Sequence, residues 1–196
     1  MRTANAGPIE IVAVRRSEPL IASGVLGMLI FVIAEVMFFA GLISAFTIIR
    51  ASSLTWPPPG QPRLPIEATA FNTALLLASG VALWVARRRF RRDRASASRP
   101  LWLAIGLGVA FVGLQGSEWV SLIGQGLTLT SSTLGSFFYL IVGLHALHAI
   151  GAIALLTYTG VRLQRGWLAR SQLATTEVFW YFVVGLWPIL YAVVYL

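Results

Sequence analysis

The sequence predicts an all-α, polytopic membrane bundle with five transmembrane helices. Of its 196 residues, 57% are hydrophobic and only 11% are charged, whereas a soluble domain carries about 25% charged residues. Such a small share of charged residues cannot cover a water-facing surface. The chain must therefore be surrounded by lipid. The apolar runs do not alternate with polar residues as the strands of a membrane β-barrel do, and helices satisfy their backbone groups within the span.

Five apolar segments are long enough to cross a hydrocarbon core of about 30 Å, which takes about 20 helical residues. They lie at Leu20–Ile49, Ile66–Ala86, Leu101–Gly124, Leu134–Gly160 and Ala174–Leu196. The first is too long for the core of a cleavable signal peptide, and Arg15 and Arg16 before it are interpreted as an orientation anchor. We predict a cytoplasmic N-terminal tail over residues 1–18 and one transmembrane domain over residues 19–196.

The arginines fall mainly on one side of this predicted bundle. The N-terminal tail and the second and fourth connections hold 13 of the 15 basic residues, all of them arginine, and the other side has only Arg50 and Arg63. The positive-inside rule therefore predicts a cytoplasmic N-terminus and an external C-terminus. A cytoplasmic loop facing anionic lipid explains the run "RRRFRRDRASASR" without a nucleic-acid partner. The predicted lipid contacts are Arg87, Arg88, Arg89, Arg91 and Arg92.

The longest polar stretch on the external side is "ASSLTWPPPGQPRLP", from Ala51 to Pro65. Consecutive prolines favour a semi-rigid polyproline II path, and Trp56 is typical of an interfacial anchor. Two interpretations stay open, a surface that docks a partner protein and a simple connector.

Ionisable residues inside a membrane are costly and normally face the interior of a bundle. Glu35 lies 15 residues after Leu20 and 14 before Ile49, near the middle of its segment. It is interpreted either as a structural group hydrogen-bonded to a neighbouring helix or as a site of proton transfer or lipid contact. Glu118 lies near the outer end of its segment, where an interfacial position is favoured. Glu177 is expected near the cytoplasmic headgroups.

Both histidines of the chain fall in one stretch, "GLHALHAIGA". His145 and His148 are three residues apart and therefore occupy neighbouring positions on one helix face. At ~1.5 Å of rise per residue, they lie within about 5 Å of the depth of Glu35. We therefore predict that Glu35 hydrogen-bonds to, or lies one partner away from, a histidine of the fourth helix.

The sequence predicts no metal and no redox centre in this chain. A bis-histidine haem needs ligands on opposite sides of its ring, and two histidines on one helix face cannot supply them together. Cysteine is absent, which removes thiolate sites and iron–sulfur clusters. A cluster of the two histidines and Glu35 at mid-membrane is only a weak signal for a metal site. No hydrolase or phosphate-loop motif is present.

Six stretches, in this order, resemble subunit III of haem-copper terminal oxidases, the cytochrome c oxidase subunit III family. They are "AEVMFFAGLISAF" (Ala34–Phe46), "WPPPG" (Trp56–Gly60), "NTALLLASG" (Asn72–Gly80), "LQGSEW" (Leu114–Trp119), "STLGSFFYLIVGLHALHAIGA" (Ser132–Ala152) and "FWYFVVGLWPILYAVVYL" (Phe179–Leu196). Longer members of the family have seven helices, and the five predicted here look like the last five.

The resemblance implies that this chain is a non-catalytic part of an oxidoreductase and proton translocase. Haem and copper would lie in partner subunits, above all in the catalytic subunit I, which reduces oxygen to water and pumps protons. Other oxidase subunits, bound phospholipid and a larger respiratory supercomplex would form its surroundings. The implied role is support of assembly, sustained proton uptake and lipid or oxygen access, in the inner membrane of a bacterium.

Individual residues match the family's motifs. In this resemblance Glu35 is the intramembrane carboxylate, His145 and His148 form the GxHxxH motif, and Glu118 is the acidic residue before an aromatic one. We also include Tyr181 among the proton- or lipid-linked polar sites, because it stands where the family has histidine.

The last helix departs from the family's pattern in two further places. Val184 replaces an aspartate, and Ala174 replaces an acidic residue unless Glu177, almost one turn later, substitutes for it. These changes predict an altered polar network at that helix.

Three alternatives to a cytochrome c oxidase subunit stay open. They are subunit III of a quinol oxidase, the accessory subunit of a nitric oxide reductase, and an independent proton-coupled carrier. The "WPPPG" stretch favours the cytochrome c branch. The carrier is disfavoured because such proteins often show internal repeats or broken helices, and the sequence has neither.

Overall fold

The computed structural model describes residues 22–56 and 60–196, and it confirms the predicted five-helix architecture. The helices are α1 Ser23–Ser52, α2 Ile66–Arg92, α3 Ser98–Gly124, α4 Thr133–Gln164 and α5 Arg170–Leu190. Each is long and apolar enough to cross a membrane, and these ranges contain no β-strand. A π-helical turn, Tyr191–Tyr195, continues α5. The predicted N-terminal tail and the prolines at 57–59 lie outside the described residues.

The helices extend beyond the apolar segments at the arginine-rich end. We predicted that the second segment ends at Ala86, but α2 continues through the arginine run to Arg92. Apolarity marks only the part of a helix that lies in hydrocarbon, whereas arginine is a good helix former and favours the C-terminal end of the helix dipole. Asp93 then ends the helix, and its carboxylate accepts hydrogen bonds from the amides of Ala95 and Ser96 at 3.1 and 3.0 Å.

The fifth helix lies at the centre of the bundle. It contacts α1, α2 and α4, while α3 packs between α2 and α4. Two tryptophans of α5, Trp180 and Trp187, are fully buried. By contrast, α1 is peripheral and buries only Phe39 and Phe46 of its 30 residues. Its remaining apolar surface is available to lipid or to another protein.

Small residues allow the helices to approach closely, as is usual where lipid gives no hydrophobic drive for association. Gly108 of α3 is the glycine that packs most closely against α5. A Cβ atom built there would lie 2.7 Å from the ring of Trp180, and the next close neighbour is Ile153 of α4. Gly106, two residues earlier, has nothing within 4 Å of the equivalent position.

We predict that Gly108→Ala destabilises the bundle and Gly106→Ala does not. The added methyl group at position 108 must displace a buried tryptophan, and such overpacking costs about 1–3 kcal/mol. At position 106 alanine only improves helix propensity, by up to about 1 kcal/mol. Unfolding of the purified protein in mixed detergent micelles, followed by circular dichroism, measures both effects. Equal stability of the two variants would contradict the close α3–α5 contact.

Candidate functional site

A glutamate and a histidine meet near the middle of the bundle. Glu35 on α1 and His148 on α4 lie with Oε2 and Nε2 3.2 Å apart, and their side chains are 19% and 13% exposed. The adjacency predicted from helix depth is therefore confirmed. The two atoms are within ion-pair distance but are not aligned as a hydrogen bond, and Glu35 Oε2 has no hydrogen-bond partner within residues 22–56 and 60–196.

The other ring nitrogen of His148 decides which nitrogen faces Glu35. His148 Nδ1 lies 2.7 Å from the carbonyl oxygen of Leu144, so Nδ1 must carry hydrogen and donate it. A neutral ring then presents a bare Nε2 to Glu35. Nε2 is therefore the ring nitrogen that faces the carboxyl group of Glu35.

Aromatic side chains surround His148. The rings of Phe31, Phe39, Phe179 and Phe182 lie with their centres 5.6–6.3 Å from the centre of the His148 ring. Three of the four approach edge-on, and Phe31 is stacked. Rings of this kind exclude water and lower the local dielectric constant, which strengthens the interaction of the two polar groups.

His145 faces a different part of the bundle. It is buried, and its ring lies 5.0 Å from that of Trp187 and 6.4 Å from that of Phe111. Neither ring nitrogen has a hydrogen-bond partner in the described part of the chain. It lines a cavity of about 200 Å³ between α3 and α4, together with Gln115. Of the two predicted histidines, only His148 meets Glu35.

Glu118 belongs to a polar network rather than standing alone at the interface. Its Oε2 accepts hydrogen bonds from Thr69 Oγ1 and Gln115 Nε2, each at 3.0 Å. Gln115 also donates to the hydroxyl of Tyr195 at 3.0 Å and accepts from Asn72 at 3.2 Å. The network joins α2, α3 and the π turn. Its neutral members were not predicted from the sequence, although polar residues within apolar segments are a usable signal.

Glu177 lies near the start of α5, at the arginine-rich end of the bundle. Its side chain turns inward, is only 2% exposed and forms a salt bridge with Arg87 of α2 at 3.0 Å. A carboxylate buried between helices needs a partner, and the long arginine side chain reaches it from the membrane surface. Tyr181 lies one turn further along α5, and its hydroxyl has no hydrogen-bond partner in the described ranges.

The predicted lipid-contact arginines differ in their surroundings. Arg87 is bound to Glu177, and Arg88 stacks over the ring of Trp84 with 3.8 Å between the guanidinium carbon and the ring centre. The other three are exposed at the end of α2, namely Arg89, Arg91 and Arg92. Over the described ranges, no three histidine or acidic side chains converge in a way that could hold a metal ion.

The sequence is similar to one known protein family. Residues 16–196 match the model of the family described as Cytochrome c oxidase subunit III. Cytochrome c oxidase subunit 3 of Petromyzon marinus is 35% identical over 179 residues, covering 86% of this chain and 67% of the relative. That of Equus caballus is 34% identical over 182 residues, with the same coverage. That of Thermostichus vulcanus is 29% identical over 177 residues, covering 88% and 86%.

We predict that the Glu35–His148 pair is stabilising only when both members are present. His148→Phe leaves the carboxyl group of Glu35 without a polar neighbour. It should lower the free energy of unfolding by about 1–3 kcal/mol, the usual cost of an unsatisfied buried group. Glu35→Gln should cost less, because its amide can donate to Nε2. The double variant Glu35→Leu/His148→Phe removes both polar groups and should recover much of the loss. Unfolding of each purified variant in mixed detergent micelles measures all three free energies. A double variant no more stable than His148→Phe would contradict coupling between the two groups.

Proposed function

This chain belongs to the cytochrome c oxidase subunit III family and is an accessory subunit of a haem-copper oxidase, and we propose that it serves a proton-pumping cytochrome c oxidase in aerobic respiration. The single observation that carries this proposal is the family match over residues 16–196, which spans all five helices. The relatives' own names favour the cytochrome c branch over the quinol and nitric oxide alternatives.

We propose that electron transfer and oxygen reduction take place in partner subunits, with catalytic subunit I as the neighbour. The residues of this chain support that division. It has no cysteine and two histidines. His148 donates a hydrogen bond to the carbonyl oxygen of Leu144 and lies 3.2 Å from Glu35, and His145 packs against the rings of Phe111 and Trp187. The haem and copper of partner subunits would carry out the redox chemistry, and this chain would support the complex without taking part in that chemistry.

The proposed support has a proton-linked part and a structural part. Glu35 and His148 lie with Oε2 and Nε2 3.2 Å apart, beside aromatic rings that surround His148, and this arrangement suits a site that sustains proton uptake by the neighbouring subunit. The Glu118 network holds α2, α3 and the π turn together and suits assembly. His145 and Tyr181 are proposed as secondary polar sites. The exposed side of α1 is proposed to contact lipid or another subunit, with access for oxygen along it.

We propose that the arginine-rich end faces the cytoplasm of a bacterium. The arginines of residues 87–99 and 162–170 lie at the same end of the bundle. That end is formed by the end of α2, the start of α3, the end of α4 and the start of α5. Arg50 lies at the other end of α1, and Arg63 precedes α2. This asymmetry supports a cytoplasmic N-terminal tail and an external C-terminus.

We predict that the affinity-tagged chain, solubilised gently, carries a haem-copper oxidase with it. A reduced-minus-oxidised absorption spectrum of the preparation should show haem bands, and metal analysis should show copper. A preparation without either would contradict the proposed function. Haem bands without copper would favour the nitric oxide reductase alternative.

The same preparation tests the supporting role. An oxidase that lacks this chain should begin oxygen consumption at close to the normal rate and lose activity faster during sustained turnover. An oxygen electrode records both phases. Complete loss of the initial rate in a complex that still assembles would place this chain in the catalytic machinery and contradict an accessory role.

The orientation is tested by single cysteines, for which the cysteine-free chain is a clean background. Ala95→Cys lies at the arginine-rich end, and Leu54→Cys lies at the opposite end; both positions are exposed. In intact cells a membrane-impermeant maleimide should label position 54 and reach position 95 only after lysis. The reverse pattern would invert the proposed topology.

A further inference from the structure

A cavity of about 200 Å³ lies between α3 and α4, on the outer side of the bundle. Among the residues that line it, Ile150 is 53% exposed, and Val112, Gly116 and Ala146 are partly exposed. Both helices are long and apolar enough to cross a membrane, so the space outside this opening is hydrocarbon. A ligand of the cavity must therefore be soluble in the membrane.

Four of the lining side chains are aromatic rings, and two of these rings carry nitrogen atoms without a partner. The four are Phe111 and Trp119 of α3, His145 of α4 and Trp187 of α5. His145 is only 1% exposed, yet neither of its ring nitrogens has a hydrogen-bond partner within the described residues. The indole nitrogen of Trp119 is also buried without a partner there. Because an unpaired buried group costs about 1–3 kcal/mol, both nitrogen groups point to a partner from outside the chain.

The imidazole of His145 can present a nitrogen to this space. A half-turn about its Cβ–Cγ bond exchanges the nitrogen and carbon positions of the ring without changing its outline. The ring can therefore keep its place beside Trp187, with 5.0 Å between the two ring centres. A neutral imidazole has one N–H donor, and the indole of Trp119 has another. The cavity thus combines aromatic surface with two donors from two helices.

We propose that this cavity binds the head ring of an isoprenoid quinone, whose hydrocarbon tail lies in the surrounding lipid. The ring of a quinone is flat and neutral, and its two carbonyl oxygens can accept from the N–H groups of His145 and Trp119. Aromatic contacts add about 0.5–1.5 kcal/mol per pair beyond the buried area. The quinone is a bound ligand here, and no electron transfer is assigned to it. The inference goes beyond the accessory role and does not depend on which oxidase the chain serves.

Other membrane ligands fit this chemistry less well. A saturated acyl chain would fill the space but would leave the nitrogens of His145 and Trp119 unpaired. A phosphate headgroup needs a cation, and no arginine of the described residues lines this cavity. A neutral ring with acceptor groups satisfies both the apolar walls and the donors.

The test is photoaffinity labelling of the purified protein together with any subunits that it retains. The probe is an azido-ubiquinone, and the labelled peptides are identified by mass spectrometry. We expect labels within residues 111–119 and 142–150, and we expect decylubiquinone to compete for them. Decylbenzene has a similar ring and tail but no carbonyl groups, so it should compete poorly. Equal competition by decylbenzene would show a cavity that accepts any hydrocarbon and would overturn the proposal.

Three variants test the donors and the space. His145→Phe keeps an aromatic ring but removes both nitrogens, and it should weaken competition by decylubiquinone about tenfold, as the loss of a hydrogen bond predicts. Gly116→Leu should fill the cavity and abolish labelling, because nothing lies within 4 Å of a Cβ atom built there. Gly113→Leu is the matched control, since its Cβ position is equally free but does not line the cavity.

The variants also define the results that would refute the site. Unchanged affinity in His145→Phe would remove the proposed hydrogen bond, and unchanged labelling in Gly116→Leu would place the quinone elsewhere. An equal loss in Gly113→Leu would show that added bulk on α3, and not the cavity, decides binding. Each of these three results would overturn the proposal, and none depends on the oxygen-reducing activity of a partner.

Discussion

A polar group inside hydrocarbon must find its partner within the protein, and the arrangement of this bundle depends on that constraint. The backbone meets it by forming helices. The side chains meet it by pairing between helices at three depths. Glu177 binds Arg87 at the arginine-rich end, Glu35 meets His148 in the middle, and Glu118 binds Thr69 and Gln115 towards the other end. Since each pair joins two helices, the polar residues also determine how the helices are placed.

The fifth helix connects these levels. Its buried tryptophans fill the centre, where Gly108 makes room for Trp180 and Trp187 donates a hydrogen bond to Thr73 at 2.8 Å. Glu177 lies near its start, and Tyr195 lies in the turn that follows its end. The same helix therefore carries side chains that contact the other helices at both ends of the bundle and at its centre.

Much of the fold was predictable, because apolar runs of sufficient length leave helices as the only spanning structure. Helix depth was predictable too, since it follows from residue counts, and it brought Glu35 and His148 together. The rotation of each helix about its own axis was not predictable from the sequence. It separates His145 from His148 and turns Glu177 inward, and only side-chain packing fixes it. The neutral partners Gln115 and Asn72 were missed because attention to charged residues overlooks amides, although amides are as costly to bury without a partner.

In the π turn at Tyr191–Tyr195, the number of residues is more important for the structure than their identity. Such a turn accommodates one residue more than an α-helical turn. Its geometry brings the Tyr195 hydroxyl to Gln115 and the carbonyl of Val193 to Arg50 of α1 at 3.1 Å. Removal of one residue would restore α-helical geometry and rotate the following side chains by about 100°. Both links would be lost together, so the segment tolerates substitutions of similar size far better than a single deletion.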